Sequence, residues 1–241
     1  GYLPMVRHSI IKATVADAAE LGIPESVFHR RWLTLATLCG SLLAVVMGNA
    51  SLNLSLSAIA TELQLTTLQL TWVVEIFSLL FAALLFTFAA VGDRYGRKMV
   101  MQAGIILSIA SSLYAALVAS SGVELIACRA VMGIGGALVM PATLSVINVI
   151  FPPQERPRAV SIWAAVAAVG MLIGVVIGGL LLDHLGWQST FWIGAAIAAV
   201  ALAANQFLVA ESRDERRTPV DWLGGLLSAV GLLGLVYGIM E

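Results

Sequence analysis

Long apolar runs broken by short polar turns set the pattern of this chain. Seven runs, at residues 33–59, 70–91, 99–119, 125–150, 159–182, 187–210 and 222–240, carry only two charged side chains between them, Glu75 and Arg129. Each run meets the length of about 20 apolar residues that an α-helix needs to cross hydrocarbon. Inside lipid the backbone must satisfy its own polar groups, so runs of this length are predicted as helices. The predicted fold class is all-α, a polytopic membrane protein with seven transmembrane spans.

The turns between the runs alternate in charge. One set holds Arg94, Arg97 and Lys98, then Arg156 and Arg158, then Arg213, Arg216 and Arg217. The other set, at 60–69, 120–124 and 183–186, holds no Lys or Arg. With Arg7, Lys12, Arg30 and Arg31 of the tail, twelve of the thirteen basic residues fall on one side. The positive-inside rule makes that side cytoplasmic, with the N-terminus inside and Glu241 on the outer face. Trp32, Trp72, Trp187 and Trp222 stand near predicted span ends, where interfacial anchors are expected. The tail, 1–31, is a cytoplasmic extension in which residues 10–21 form either a short amphipathic helix or a disordered segment.

Composition narrows the function classes. The 241 residues are 60% hydrophobic and 11% charged, against about a quarter charged in soluble domains. A net charge of −1 argues against a nucleic-acid partner, which needs a basic surface. Cys39 and Cys128 lie in apolar runs without metal-ligand spacing and read as small buried hydrophobes. No metal cluster or cofactor motif is expected. No cleavable leader is expected either, because the first 31 residues hold seven charged side chains and no apolar core.

The most distinctive turn is Gly92-Asp93-Arg94-Tyr95-Gly96-Arg97-Lys98, too charged for hydrocarbon and too short for a domain. Together with Ala89, Ala90 and Val91 it resembles the loop 2–3 signature of the major facilitator superfamily, with Ala89 where that signature begins with glycine. Arg129 to Ala137 resembles the family's span 4 motif, with Met132 in place of Gln. Gly170, Gly174, Gly178 and Gly179 resemble the span 5 antiporter signature, with Val175 in place of its proline. The short linker into a seventh span is similar to the fourteen-span drug:proton antiporter branch.

The resemblance implies a six-helix bundle at 32–210, a cytoplasmic linker at 211–221 and a seventh helix at 222–241, with a second bundle supplied by a C-terminal half outside this chain. It implies that Asp93, Arg94, Gly96, Arg97 and Lys98 act as a gate between bundles. It also implies that the span 5 glycines pack against a helix of the other half.

Inside the spans, Arg129 must face protein or water, because burying its charge in lipid costs a few kcal/mol or more. It reads as a proton-relay or cavity residue, or as a pin between helices. Glu75, by resemblance a position held by Asp in some cation exporters, reads as the proton-coupling acid, or as a carboxylate reaching up to water. Both residues are placed in the outer half of the bundle, which leaves an ion pair between them open. Asn49, Asn53 and Ser57 recur at i, i+4 and i+8 and form a polar stripe, either lining a substrate cavity or bonding neighbouring helices. The antiporter branch has an Asp aligned with Gly48, so coupling rests on Glu75. Pro141 is expected to bend span 4.

The expected function is a secondary transporter of the cell (inner) membrane, exporting amphipathic or cationic small molecules by alternating access. The proton gradient is its energy source and no cofactor is needed. An uncoupled or uptake facilitator and a non-transporting docking subunit are the alternatives. An enzyme is not expected: no Ser/His pair, Asp pair or metal cluster lies within the membrane.

Overall fold

A computed structural model describes residues 13–213 and 219–240. Within them the helices are α1 (Val15–Glu20), α2 (Glu25–Glu62), α3 (Thr67–Tyr95), α4 (Arg97–Leu117), α5 (Gly122–Ile150), α6 (Arg156–Leu185), α7 (Gln188–Leu208) and α8 (Trp222–Met240). Seven of these, α2 to α8, are long and apolar enough to cross a membrane, and the chain is a multi-pass membrane protein. Arg7, Lys12, Arg216 and Arg217 lie outside the described residues, as do residues 10–12, while the rest of the 10–21 segment holds the short helix α1.

Local chemistry sets the boundaries. Thr14 and Asp17 form a capping box at α1, and its two bonds to Thr14 hold the Asp17 carboxyl below its usual range. A second capping box, Thr66 with Gln69, starts α3. Gly96 alone separates α3 from α4, at a φ of 128° that residues with a Cβ rarely adopt. Pro141 lies within α5, which continues through it to Ile150.

The first span begins earlier than the sequence pattern predicts, at Glu25 rather than residue 33. Arg31, the charge beside the predicted boundary, finds partners inside the protein. Arg31 Nε donates to Glu155 Oε2 at 2.7 Å, and its guanidinium lies 3.6 Å from the Phe28 ring centroid. A further correction concerns Trp187, which is not an interfacial anchor. It is 2% exposed and packs edge-on against Phe191.

The helices pack as two layers of contacts. α3 and α4 lie on α5, α6 and α7 lie on α2, and α4 meets α7. α8 rests against α3, with Tyr237 beside Trp72. Close approaches use small residues, as expected where lipid removes the hydrophobic drive between helices. A Cβ built on Gly133 would sit 2.6 Å from the Phe77 carbonyl oxygen.

The span 5 glycines follow the same rule, but their partner lies in this chain. Cβ atoms on Gly170, Gly174 and Gly178 would strike Leu43, Met47 and Ser51 of α2. Their expected role against a helix of another half is therefore overturned for these three, because α2 already fills the groove. Gly179 has more room, with Leu54 at 3.3 Å. The face of α6 that stays exposed is apolar instead, with Met171, Leu172, Val175 and Val176.

Two apolar clusters fill the core. One gathers Leu38, Leu42, Met101, Ile105, Ile147 and Phe151 near the basic end. The other gathers Leu52, Ile59, Val73, Leu125, Trp187 and Phe191 near the opposite end. Cys39 and Cys128, both free and buried, belong to this packing.

Candidate functional site

Arg129 projects from α5 into the junction of α2, α3 and α4 and is 1% exposed. Its Nη2 donates to Asn49 Oδ1 at 2.6 Å, and its Nε donates to the Val73 carbonyl at 3.0 Å. The guanidinium lies 4.6 Å from the Phe77 ring centroid, and Nη1 has only the Met132 sulfur at 4.0 Å. Every one of these partners is electrically neutral. Met132, which departs from the family motif, is thus part of the arginine's shell. A buried cation normally pairs with an anion, because desolvation is offset only by good opposite-charge geometry. Among the described residues none of the ion pairs includes Arg129.

Glu75 does not supply that anion. Val73 and Phe77 mark the α3 face turned to Arg129, and at 3.6 residues per turn Glu75 lies about 200° round the helix from either. Its side chain is exposed and makes no ion pair with Arg129. The open pairing between the two is thereby corrected: helix rotation separates residues that share a depth.

The polar stripe divides. Asn49 is taken up by Arg129, whereas Asn53 and Ser57 are exposed. Asn49 and Asn53 line a cavity of about 270 Å³ with Phe77, Phe81, Met140, Met171 and Val175. This cavity opens beside the uncovered apolar face of α6. Aromatic and thioether walls with a few amide groups suit a bulky apolar molecule bearing some polar atoms. Ser57 is not among its lining residues.

At the basic end, the turn after α3 is closely held. Arg97 Nη2 lies 2.7 Å from Asp93 Oδ1, and Ser145 of α5 donates to the same oxygen at 3.0 Å. The Glu211 carboxylate accepts from the backbone N–H groups of Lys98 at 3.0 Å and Met99 at 3.1 Å, capping α4 where the helix dipole favours an anion. Lys98 Nζ donates to the Gln206 carbonyl, and Arg97 N–H to the Ser212 carbonyl. A Cβ at Gly96 would fall 2.8 Å from Glu211 Oε1. Arg94 stands apart, 5.5 Å from the Tyr95 ring.

Ser145, Gln206 and Glu211 escaped the sequence reading. The one available signal was an acid closely following a span on the same side as a glycine-broken helix start. The contacts also bear on the alternation of turns. Glu211 and Ser212 meet the 93–98 turn, while at the other end Gln188 bonds Glu62 and Gly122 packs on Leu65.

Comparison with known proteins agrees with this architecture. Residues 37–239 match the family model described as Major Facilitator Superfamily. The multidrug efflux pump LfrA of Mycolicibacterium smegmatis is 34% identical over 212 residues, covering 87% of this chain and 42% of that protein. The puromycin resistance protein pur8 of Streptomyces alboniger is 30% identical over 98% of this chain and 46% of its own length. The methyl viologen resistance protein SmvA of Salmonella typhimurium is 31% identical over 86% of this chain and 42% of its own. The chain thus spans less than half the length of these relatives. The match runs through all seven spans and includes both the charged turn and the buried span 4 arginine, so the chain belongs to the major facilitator superfamily, a family of membrane transporters rather than of enzymes.

Proposed function

We propose that the transporter to which this chain belongs exports amphipathic or cationic small molecules from the cell, with the N-terminus of this chain on the cytoplasmic side of the cell (inner) membrane. The observation that carries the reading is the cavity lined by Asn49, Asn53, Phe77, Phe81 and Met171, open along the uncovered side of the bundle. Relatives named for multidrug efflux, puromycin resistance and methyl viologen resistance support the substrate class. A second bundle, for which the relatives' greater length leaves room, closes over the cavity, and the two bundles rock about it. The cluster of Asp93, Arg97, Ser145 and Glu211 acts at the cytoplasmic end as the gate that holds one of the two states.

Proton coupling runs through Glu75, the one acid deep in a span. Protonation changes the relative stability of inward- and outward-facing states, and that differential drives export. Efflux of a fluorescent cationic dye from cells making the full-length protein tests this. Glu75→Gln should abolish the response to an imposed pH gradient while leaving the amount of protein in the membrane unchanged. Unaltered pH-driven efflux would remove Glu75 from the mechanism.

A second reading, an uncoupled or uptake facilitator, draws on one observation: Arg129 has only neutral partners, and Glu75 faces away from it. Proton flux measured during dye movement separates the two readings.

A further inference from the structure

A small cavity lies against Arg129 and shares Asn49 with the larger one. Gly48, Asn49, Ser108, Ser112, Arg129 and Thr190 line it, and its volume is about 30 Å³. A space of that size holds one or two waters, or one halide-sized ion. Its remaining walls are apolar, with Ala44, Val45, Phe191 and Ala198 among them.

Two donors on its wall lack an oxygen partner among the described residues. Arg129 Nη1 touches only the Met132 sulfur, at 4.0 Å. The Ser112 hydroxyl, on α4 at 8% exposure, makes no hydrogen bond. The other two hydroxyls are already committed, Ser108 to the Gly104 carbonyl and Thr190 to the Trp187 carbonyl.

The acids nearest in sequence point elsewhere. Glu124 is bonded to Ser120 at the start of α5, and Glu75 lies on the opposite face of α3. A guanidinium 1% exposed therefore carries a full charge against neutral dipoles, next to a cavity that holds a second free donor. Buried charge of this kind is expensive unless it is neutralised.

We propose that this cavity is a binding site for a small monovalent anion, with chloride the fitting size and charge, held by Arg129 Nη1 and Ser112 Oγ as the missing counter-ion. The proposal does not rest on the export reading. Larger anions such as gluconate are excluded by volume.

The test is the thermal unfolding of the purified protein in lipid nanodiscs, followed by tryptophan fluorescence. Sodium chloride, bromide and gluconate are compared at about 150 mM, so that general screening is equal. The midpoint in chloride and bromide should exceed that in gluconate by about 3–6 °C, as a ligand bound only to the folded state requires.

Gly48→Asp supplies a tethered carboxylate at the same cavity, where an added Cβ meets nothing within 4 Å. It should erase the difference between salts. Ser112→Ala, a milder change that keeps the fold, should shrink it. Equal midpoints in all three salts for the unaltered protein would overturn the proposal, leaving a cavity of water alone. A halide shift that survives unchanged in both variants would overturn it too, by locating the anion elsewhere.

Discussion

The chain holds charge in two places by opposite means. At the basic end, Asp93 meets Arg97, and Glu211 meets the start of α4, each charge facing an opposite charge or a favourable dipole. Inside the bundle, Arg129 faces an amide, a carbonyl, a sulfur and a ring. The end cluster sits near water, where an ion pair gains little and fixes geometry more than stability. The buried arginine sits where a charge is costly, so the groups around it matter to the fold. A charged cluster in a transporter can therefore serve as a latch or as a structural centre, and depth in the membrane decides which.

Substitutions at the two sites sharpen that contrast. The largest effect belongs to Arg129→Ala, which deprives Asn49 and the Val73 carbonyl of their donor and leaves a void. Unfolding by denaturant in bicelles should show a loss of about 2–4 kcal/mol. Arg129→Lys should recover little, because an ammonium cannot reach both oxygens from one planar fork. A smaller effect follows from Glu211→Ala, which removes the cap of α4. The loss should be about 1 kcal/mol, with faster amide exchange confined to Lys98 and Met99. Smallest is Asp93→Asn, for which stability should change by about 0.2–1 kcal/mol. Transport should nonetheless fall if the proposed gate is weakened while the fold is kept. A large stability loss at Asp93, or a negligible one at Arg129, would break the comparison.

The sequence made some of this legible and concealed the rest for physical reasons. Span number and the alternation of basic turns were readable because hydrophobic length and local charge are properties of contiguous residues. The burial of Arg129 was readable for the same reason, since a charge in an apolar run must find protein. Its partners were not, because they depend on helix rotation: a shift of two residues on α3 separates Val73, which bonds Arg129, from Glu75, which does not. The α6 glycines announced a close approach without naming the helix that makes it. Glu211 was invisible because an exposed acid in a polar linker has no periodicity to mark it. The early start of α2 was hidden by Arg31, whose charge looked like a boundary until Glu155 was seen beside it.

The proposed path of the cargo past Asn53 is open to direct measurement. Asn53→Cys adds a reactive thiol to a chain in which Cys39 and Cys128 are buried, and the protein without the substitution gives the background labelling. The account predicts that a water-soluble maleimide labels position 53 in membranes holding the full-length protein, and that a transported cationic dye slows the labelling several-fold in proportion to its occupancy. Labelling that is absent, or indifferent to saturating dye, would contradict the cavity as the substrate site.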